Sequence, residues 1–343
     1  MAATREAAIL GIDLGTTEVK AGLVTLDGRL LGLARTAYRT ETDAAIGRAE
    51  QDPEGWWGAL ATSVRRLASS AAAEVIAIAV DGHGPSLVTV DAAGRPTRAA
   101  IIWQDSRATD EASELADATG LSGWSLAGLP AALWVERHEP AVADATCWYL
   151  ATWDYLGMRL TGRAATSLVD GQPFPGAAVL DRTGVPAAKV PPAVRAGDVL
   201  GELTAEAADH LRLDAAIPVV AGIVDAWASF HGAGMSAKGD AIDVGGAAGG
   251  FGVYWDRPLD VPGSFATIAP LRGLFSVGGA MAATGRAIDW FRTQIVVGVD
   301  STEALLEEAA ATPPGADGVL FLPYLAGERS PIWDPSARAR SSG

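Results

Sequence analysis

The chain has 343 residues and carries 26 Lys plus Arg against 41 acids, a formal net charge of −15. That balance excludes nucleic acid or an anionic membrane as the main partner, because phosphate backbones need clustered cations. A small phosphorylated molecule stays compatible if a cation and backbone N–H groups screen it. The length suits about two domains at ~100–200 residues each, and a hydrophobic content of 49% permits substantial cores. Cys147 is the only cysteine, so no intrachain disulfide can form, as expected of a reducing cytoplasm. The opening MAATREAAIL has no long apolar core and does not read as a signal peptide. No apolar run reaches the ~18 residues of a membrane span.

Residues 7–13 read as a buried strand. Strands follow at 18–25 and 29–37, joined at Asp27-Gly28, a strong hairpin signal. Pro53 starts a helix whose apolar stripe is Trp57, Leu60, Val64 and Leu67, with Arg65 and Arg66 off it. Residues 75–80 form an apolar strand, and 87–90 and 99–103 follow as strands around the turn 91–94. Helices are expected at 109–119, 133–139 and 151–160, the last stopped by Gly162. Residues 171–200 are rich in Pro and Gly and read as loops. Residues 217–223 form a strand, and a helix starts at Asp225. The pattern then restarts, with strands near 240–244, 250–255, 264–269 and 274–278. Helices follow around 280–296 and 302–311, then a strand at 319–323 and a polar, loop-like end. The restart divides the chain into an N-terminal lobe, 1–236, and a C-terminal lobe, 237–343.

The restart copies the beginning. IDLGTTEVKAGLV, 12–24, and IDVGGAAGGFGVY, 242–254, align without a gap, each a strand ending in an acid, a small-residue turn and a second strand. In the first copy Asp13 precedes Gly15-Thr16-Thr17. Glycine lets backbone approach a phosphate closely, and successive N–H groups of a tight turn form an anion nest. The threonine hydroxyls add donors, and Lys20 supplies a point charge. The plain alternative is a hairpin with an Asx turn. The second copy keeps Asp243, Gly245 and Gly246 but has Ala247 and Ala248 in place of the threonines. No GxxxxGK[ST] segment occurs, which excludes a P-loop.

Asp225 follows an apolar strand and opens a helix, where the dipole favours a carboxylate. It reads either as an N-cap or as a general base that takes a proton from an attacking hydroxyl. The segment 81–86, Asp-Gly-His-Gly-Pro-Ser, follows a buried strand, and such strand ends commonly line ligand crevices. His83, Trp103, Asp105 and Arg107 have the chemistry to hydrogen-bond and stack on a polyol; the alternative is a polar turn and a packed tryptophan. His138, His210 and His231 show no metal-ligand spacing.

These residues together resemble the FGGY carbohydrate kinases, a family that includes xylulokinase, gluconokinase and glycerol kinase. The resemblance rests on GIDLGTTEVKAGLVTLDG at the start, QDPEGWW at 51–57, IIWQDSR at 101–107, LWVERHEP at 133–140 and DYLGMRLTG at 154–162. It continues through VVAGIVDAWASFHGAG at 219–234 and FLPYLAGERSPIWDPSARA at 321–339. It implies an α/β, duplicated ribonuclease H-like fold of the actin-like ATPase type with an incomplete second lobe. It also implies transfer of the ATP γ-phosphate to a sugar or polyol hydroxyl with Mg²⁺. On that resemblance Asp13 helps position the metal, and Gly15, Thr16, Thr17, Lys20, Gly245 and Gly246 border the phosphates. Asp225 is then the catalytic base at the substrate, and His83, Trp103 and Asp105 lie near the sugar.

The resemblance also implies a cytoplasmic enzyme and leaves a homodimer open. Two departures bear on activity. The second turn reads Gly246-Ala247-Ala248 where the family usually has Gly-Thr-Ser, and the sequence leaves the family pattern after 339, so a C-terminally truncated chain with impaired transfer is expected. A non-catalytic sugar-binding or regulatory remnant of such a kinase is the alternative. The turn at His83 is not the commonest one among xylulokinases, so the sugar is not named.

Overall fold

The computed structural model describes all residues except 1–4, 71–72, 122, 170–171, 173, 247, 269–272, 297, 326 and 335, and side chains at 69–70, 123–124 and 265–268 are likewise outside it. The chain divides into two compact units, Met1–Ser229 and Phe230–Gly343.

The first unit opens on three antiparallel strands, β1 (Glu6–Leu14), β2 (Glu18–Thr25) and β3 (Leu30–Ala37). Helix α1 (Pro53–Ser70) follows. Asp52 caps it, with Oδ1 accepting the Glu54 N–H at 3.0 Å, and Pro53 stands at the first helical position, where its missing N–H costs nothing. Along β1 every second residue is buried: Ala8, Leu10, Ile12 and Leu14. That face joins Val19, Ala21 and Leu23 of β2 and the helical stripe Trp56, Leu60, Val64 and Leu67 in one core. Each of those large side chains contributes about 1.5–3 kcal/mol by leaving water.

Strand β4 (Ala73–Gly82) returns parallel to β1, which sets Asp13 beside Asp81 in register. Two helices, α2 (Thr109–Thr119) and α3 (Leu129–His138), contribute Leu115, Leu129 and Leu133 to a second core with Ile101 and Tyr149. Helix α4 (Thr152–Thr161) ends on Gly162 at φ 72°, the left-handed stop its sequence announces. Strands β5 (Val199–Glu202), β6 (Pro218–Val220) and β7 (Ile223–Val224) complete the sheet. Its order is β5-β6-β4-β1-β2-β3, with β7 also paired to β4. Helix α5 (Asp225–Gly232) leaves directly from β7.

The second unit repeats the opening. Strands β8 (Ala241–Val244) and β9 (Gly249–Trp255) form an antiparallel hairpin. The hairpin is extended by β10 (Phe265–Ile268) and β11 (Phe275–Met281), in the order β8-β9-β11-β10. Helices α6 (Gly285–Gln294) and α7 (Thr302–Ala310) follow.

Three expectations from sequence are corrected. The stretch 171–200 is not all loop: Ala177–Thr183 is helical and Leu180 is buried in the second core, so the apolar AAVL quartet outweighs the flanking Pro and Gly. Residues 217–223 are not one strand, because the pairing with β4 breaks at Ala221-Gly222. A Cβ on Gly222 would stand 2.5 Å from the Val80 carbonyl and 3.0 Å from Trp153 Cβ, so the chain turns there through a position only glycine fills. The polar end is not all loop either, since Arg340–Ser342 pairs with Leu320–Leu322.

Candidate active site

The first phosphate-type turn is Gly15-Thr16-Thr17, between β1 and β2. A Cβ on Gly15 would lie 3.2 Å from the Glu18 carbonyl and 3.6 Å from Asp13 Oδ1, which is why the turn starts on glycine. All three turn carbonyls are held. Tyr38 OH donates to the Gly15 carbonyl, Gln51 Nε2 to the Thr16 carbonyl at 2.7 Å, and the Tyr38 N–H to the Thr17 carbonyl at 3.2 Å. The Gly15 N–H closes the turn on Glu18 O at 3.1 Å, whereas the N–H groups of Thr16 and Thr17 meet no acceptor among the described residues. Carbonyls tied inward leave N–H dipoles facing outward, the electrostatic condition for an anion site.

Three carboxylates gather beside this turn. Asp13, at the end of β1, pairs with Lys20 Nζ at 2.7 Å, each side chain about one-third exposed (32% and 34%). Asp81, its register neighbour on β4, is hydrogen-bonded to Asp13. Burial, then the charges of Asp13 and Asp225, push its carboxyl up to about 8, so it is protonated at neutral pH. Asp225 begins α5, with Oδ1 accepting the Ala226 N–H at 2.7 Å. Burial raises its carboxyl to about 6; that N–H bond pulls the other way, and Asp13 adds a smaller upward push. A groove of about 460 Å³ runs along the sheet face opposite α1, lined by Asp13, Lys20, Asp81, Gly11, Gly22 and Ala79. Among the described residues no three His, Cys, Asp or Glu side chains form a ready metal cage. Mg²⁺ does not need one, since it is usually held by one or two carboxylates plus substrate phosphates, and Asp13 fits that role.

The segment expected on the sugar side divides sharply by exposure. Trp103 is 45% exposed, and its Nε1 donates to Thr16 Oγ1 at 3.0 Å. His83 is only 1% exposed, with Nδ1 2.9 Å from Ser86 Oγ, and burial lowers its imidazole to about 4, so it is neutral. Its Nε2 is buried without a partner among the described residues. The Asp105 side chain is 2% exposed; it accepts the Ala49 N–H at 2.8 Å and is gripped by Arg107, which also reaches Glu50. Asp105 and Arg107 therefore brace the strand behind Trp103.

The second turn lies in the other unit. Gly246 O accepts from the Gly285 N–H and from Thr284 Oγ1, both at 2.8 Å. Gly245 and Gly246 are exposed, and Ala248 is half-buried; Ala247 lies outside the described residues. In the segment after it, Glu328 is buried and its Oε1 accepts the N–H groups of Ala282 and Arg329 at 2.8 and 2.7 Å, anchoring that segment beside the end of β11.

Residues 8–170 match the N-terminal domain and residues 244–343 the C-terminal domain of the FGGY family of carbohydrate kinases. The chain belongs to this family. The kinase is 30% identical to the xylulose kinase of Bacillus subtilis (strain 168), over 98% of this chain and 71% of the relative. It is also 30% identical to the xylulose kinase of Escherichia coli (strain K12), over 96% of this chain and 71% of that one. Among solved structures, xylulose kinase from Rhodospirillum rubrum superposes with a TM-score of 0.84 at 30% identity, covering 98% of this chain and 72% of that one. Plasmodium falciparum glycerol kinase with ADP gives 0.83 at 17% identity, covering 99% and 73%, a likeness of fold alone. The duplicated actin-like ATPase fold of these kinases is thus the fold of this one, and the two β-turn-β hairpins are its repeated element. No described helix is long and apolar enough to cross a membrane.

Sequence reasoning assigned no role to two residues beside the first turn. Asp81 was visible only as part of a polar turn, because its neighbourhood with Asp13 depends on the parallel pairing of strands some 60 residues apart. Gln51 lay within the QDPEGWW segment, but its partners are on three separate elements.

Proposed function

We propose that this kinase transfers the γ-phosphate of ATP to a hydroxyl of a ketopentose of the xylulose type, with Asp225 as the base. The observation that carries the reading is the placement of Asp225: a carboxylate at a helix start, held near pH 6 by burial, within the electrostatic reach of Asp13 and Lys20. A base with that affinity is ionised at neutral pH and still accepts a proton readily. In the step, the substrate oxygen forms its bond to the γ-phosphorus, its proton passes to Asp225, and the bond from γ-phosphorus to the ADP oxygen breaks. The outward N–H groups of Thr16 and Thr17, the Thr16 hydroxyl and Lys20 are suited to hold phosphate oxygens. Asp13 would hold Mg²⁺, which when bound neutralises phosphate charge. Trp103, the exposed aromatic beside the turn, would stack on the sugar. The names of the relatives support xylulose as the first sugar to test.

A second reading, sugar binding with weak or no transfer, is favoured by one observation: Gly246-Ala247-Ala248 carries no side-chain hydroxyl. Coupled assay of ADP release with Mg·ATP against a panel of pentuloses, hexonates and glycerol separates the two. Turnover on xylulose with kcat above about 1 s⁻¹, the low end of ordinary enzyme rates, supports the first reading. Sugar binding by calorimetry with no ADP release on any member of the panel would sink it.

A further inference from the structure

Gln51 is 1% exposed and touches neither groove nor solvent, yet it sits at the centre of the site's bracing. Its Nε2 donates to the Thr16 carbonyl at 2.7 Å and to Thr40 Oγ1 at 2.6 Å, and its Oε1 accepts the Trp56 indole N–H at 3.0 Å. The carboxamide is therefore read in one orientation, because the indole can only donate and the carbonyl can only accept. Trp56 in turn packs edge-on against His83, with centroids 5.6 Å apart. From His83 the contacts continue through Ser86 Oγ to the Trp103 N–H at 3.1 Å, and the Trp103 indole closes on Thr16 Oγ1. Thr16 is thus gripped at both its carbonyl and its hydroxyl by one closed circuit of contacts, buried at Gln51, Trp56, His83 and Ser86 and exposed at Trp103. Since Thr16 Oγ1 already accepts from Trp103, its own proton remains for another acceptor.

We propose that Gln51 is a positioning residue for phosphate binding: by holding the Thr16 carbonyl inward, it turns the Thr17 N–H group, which shares that peptide unit, toward the nucleotide. The proposal rests on the kinase reading for the identity of the ligand, not for the geometry of the anchor. The Thr16 carbonyl and the Thr17 N–H point in opposite directions within one flat trans peptide unit, so releasing the carbonyl frees that N–H to turn. A free Thr16 carbonyl would also leave the buried amide partners, Thr40 and Trp56, to repack.

The test uses three variants of the full chain. Gln51→Met keeps the volume and loses every amide bond. Gln51→Glu keeps an acceptor for Trp56 but sets an oxygen against the Thr16 carbonyl, and serves if the first variant does not fold. Thr40→Val removes the other bond of the same Nε2 and is the control. Two readouts are taken: the backbone amide resonances of Thr16 and Thr17 without ligand, and calorimetric affinities for Mg·ATP and for xylulose. Both Gln51 variants should displace the Thr17 amide, with the Thr16 amide moved less because Tyr38 still holds the Gly15 carbonyl, while Gly11 and Gly22 stay in place. Loss of such a supporting partner should weaken Mg·ATP by about 10-fold, at the low end of the 10–100-fold seen for outer-shell partners of bound groups. Xylulose affinity should stay within about twofold of wild type on the same scale, and Thr40→Val should move neither readout.

An unmoved Thr17 amide in the Gln51 variants would overturn the proposal. So would moved amides with unchanged Mg·ATP affinity, because the anchor would then have no bearing on the nucleotide. A wild type that binds no Mg·ATP would end the kinase reading and, with it, the phosphate role given to Gln51, while the amide displacements would still report whether the anchor exists.

Discussion

The two β-turn-β hairpins share a sequence ancestor's outline but differ in how their turns are held. In the first, Leu14 pairs with Val19, so residues 15–18 make the connection; in the second, Val244 pairs with Gly250, so 245–249 do. The second turn is one residue longer, and the gapless alignment of the two copies is off by one residue in register. Asp13 consequently faces Lys20, whereas Asp243 faces Phe251, which is 54% exposed. The first turn is fastened from inside through three carbonyls by Tyr38 and Gln51. The second is held at Gly246 O, by Thr284 and Gly285. A repeated motif therefore does not imply repeated chemistry. The first turn is braced, paired with a cation and supplied with hydroxyls, the features that the proposed phosphate role requires.

The strongest way to break this comparison is to remove the base from the first unit. Asp225→Asn should lower kcat by about 10³-fold, within the range general-base groups contribute, with xylulose affinity nearly kept. Coupled assay and calorimetry read the two effects, and near-normal turnover would show that the proton leaves by another route. In the wild type kcat should rise with pH through about 6, where Asp225 ionises, and level off above it.

Smaller effects sharpen the contrast between the turns. Thr16→Val should lower kcat/KM by about 10²-fold, by analogy with removal of one preorganised donor. Ala248→Ser restores a hydroxyl to the second turn and should change kcat/KM by less than about threefold, well below that donor effect. If the serine raised activity by more than the valine lowers it, the second turn would be the dominant phosphate contact.

A separate expected effect concerns stability. Asp81 holds its proton up to about pH 8 in the folded chain, against an ordinary value of 3.8. The folded state therefore binds more protons than the unfolded state between those limits, and stability falls as pH rises through that window. Asp81→Asn carries no titrating proton, so its melting temperature relative to wild type should climb steadily from pH 5 to pH 8. Melting curves across that range check it, and parallel curves would show that Asp81 ionises normally.

Much of this molecule was legible in its sequence. The apolar, buried-strand character of 7–13 and the 3.6-residue stripe of α1 announced the first core, because burial imposes its pattern directly on the chain. Asp27-Gly28 and Gly162 announced a turn and a stop, because left-handed backbone selects glycine. Asp13, Gly15 and Thr16 stood out because a phosphate turn is a local object. Sequence did not separate His83 and Asp105 from Trp103, since all three are polar-capable residues at strand ends and only packing distinguishes the buried pair from the exposed ring.

Chain order alone thus determined the family, the repeated hairpin, the glycine-started turn and the carboxylate at the head of α5, all of which are encoded within short windows. Tertiary structure decided what the windows do to one another. Parallel pairing of β1 with β4 put Asp81 against Asp13, β7 brought Asp225 to the same strand, and the short strand Arg48–Gln51 and α1 after it delivered Gln51 and Trp56 beside Thr16. Those juxtapositions set proton affinities and orient dipoles. They depend on distance in space, for which sequence separation carries no record.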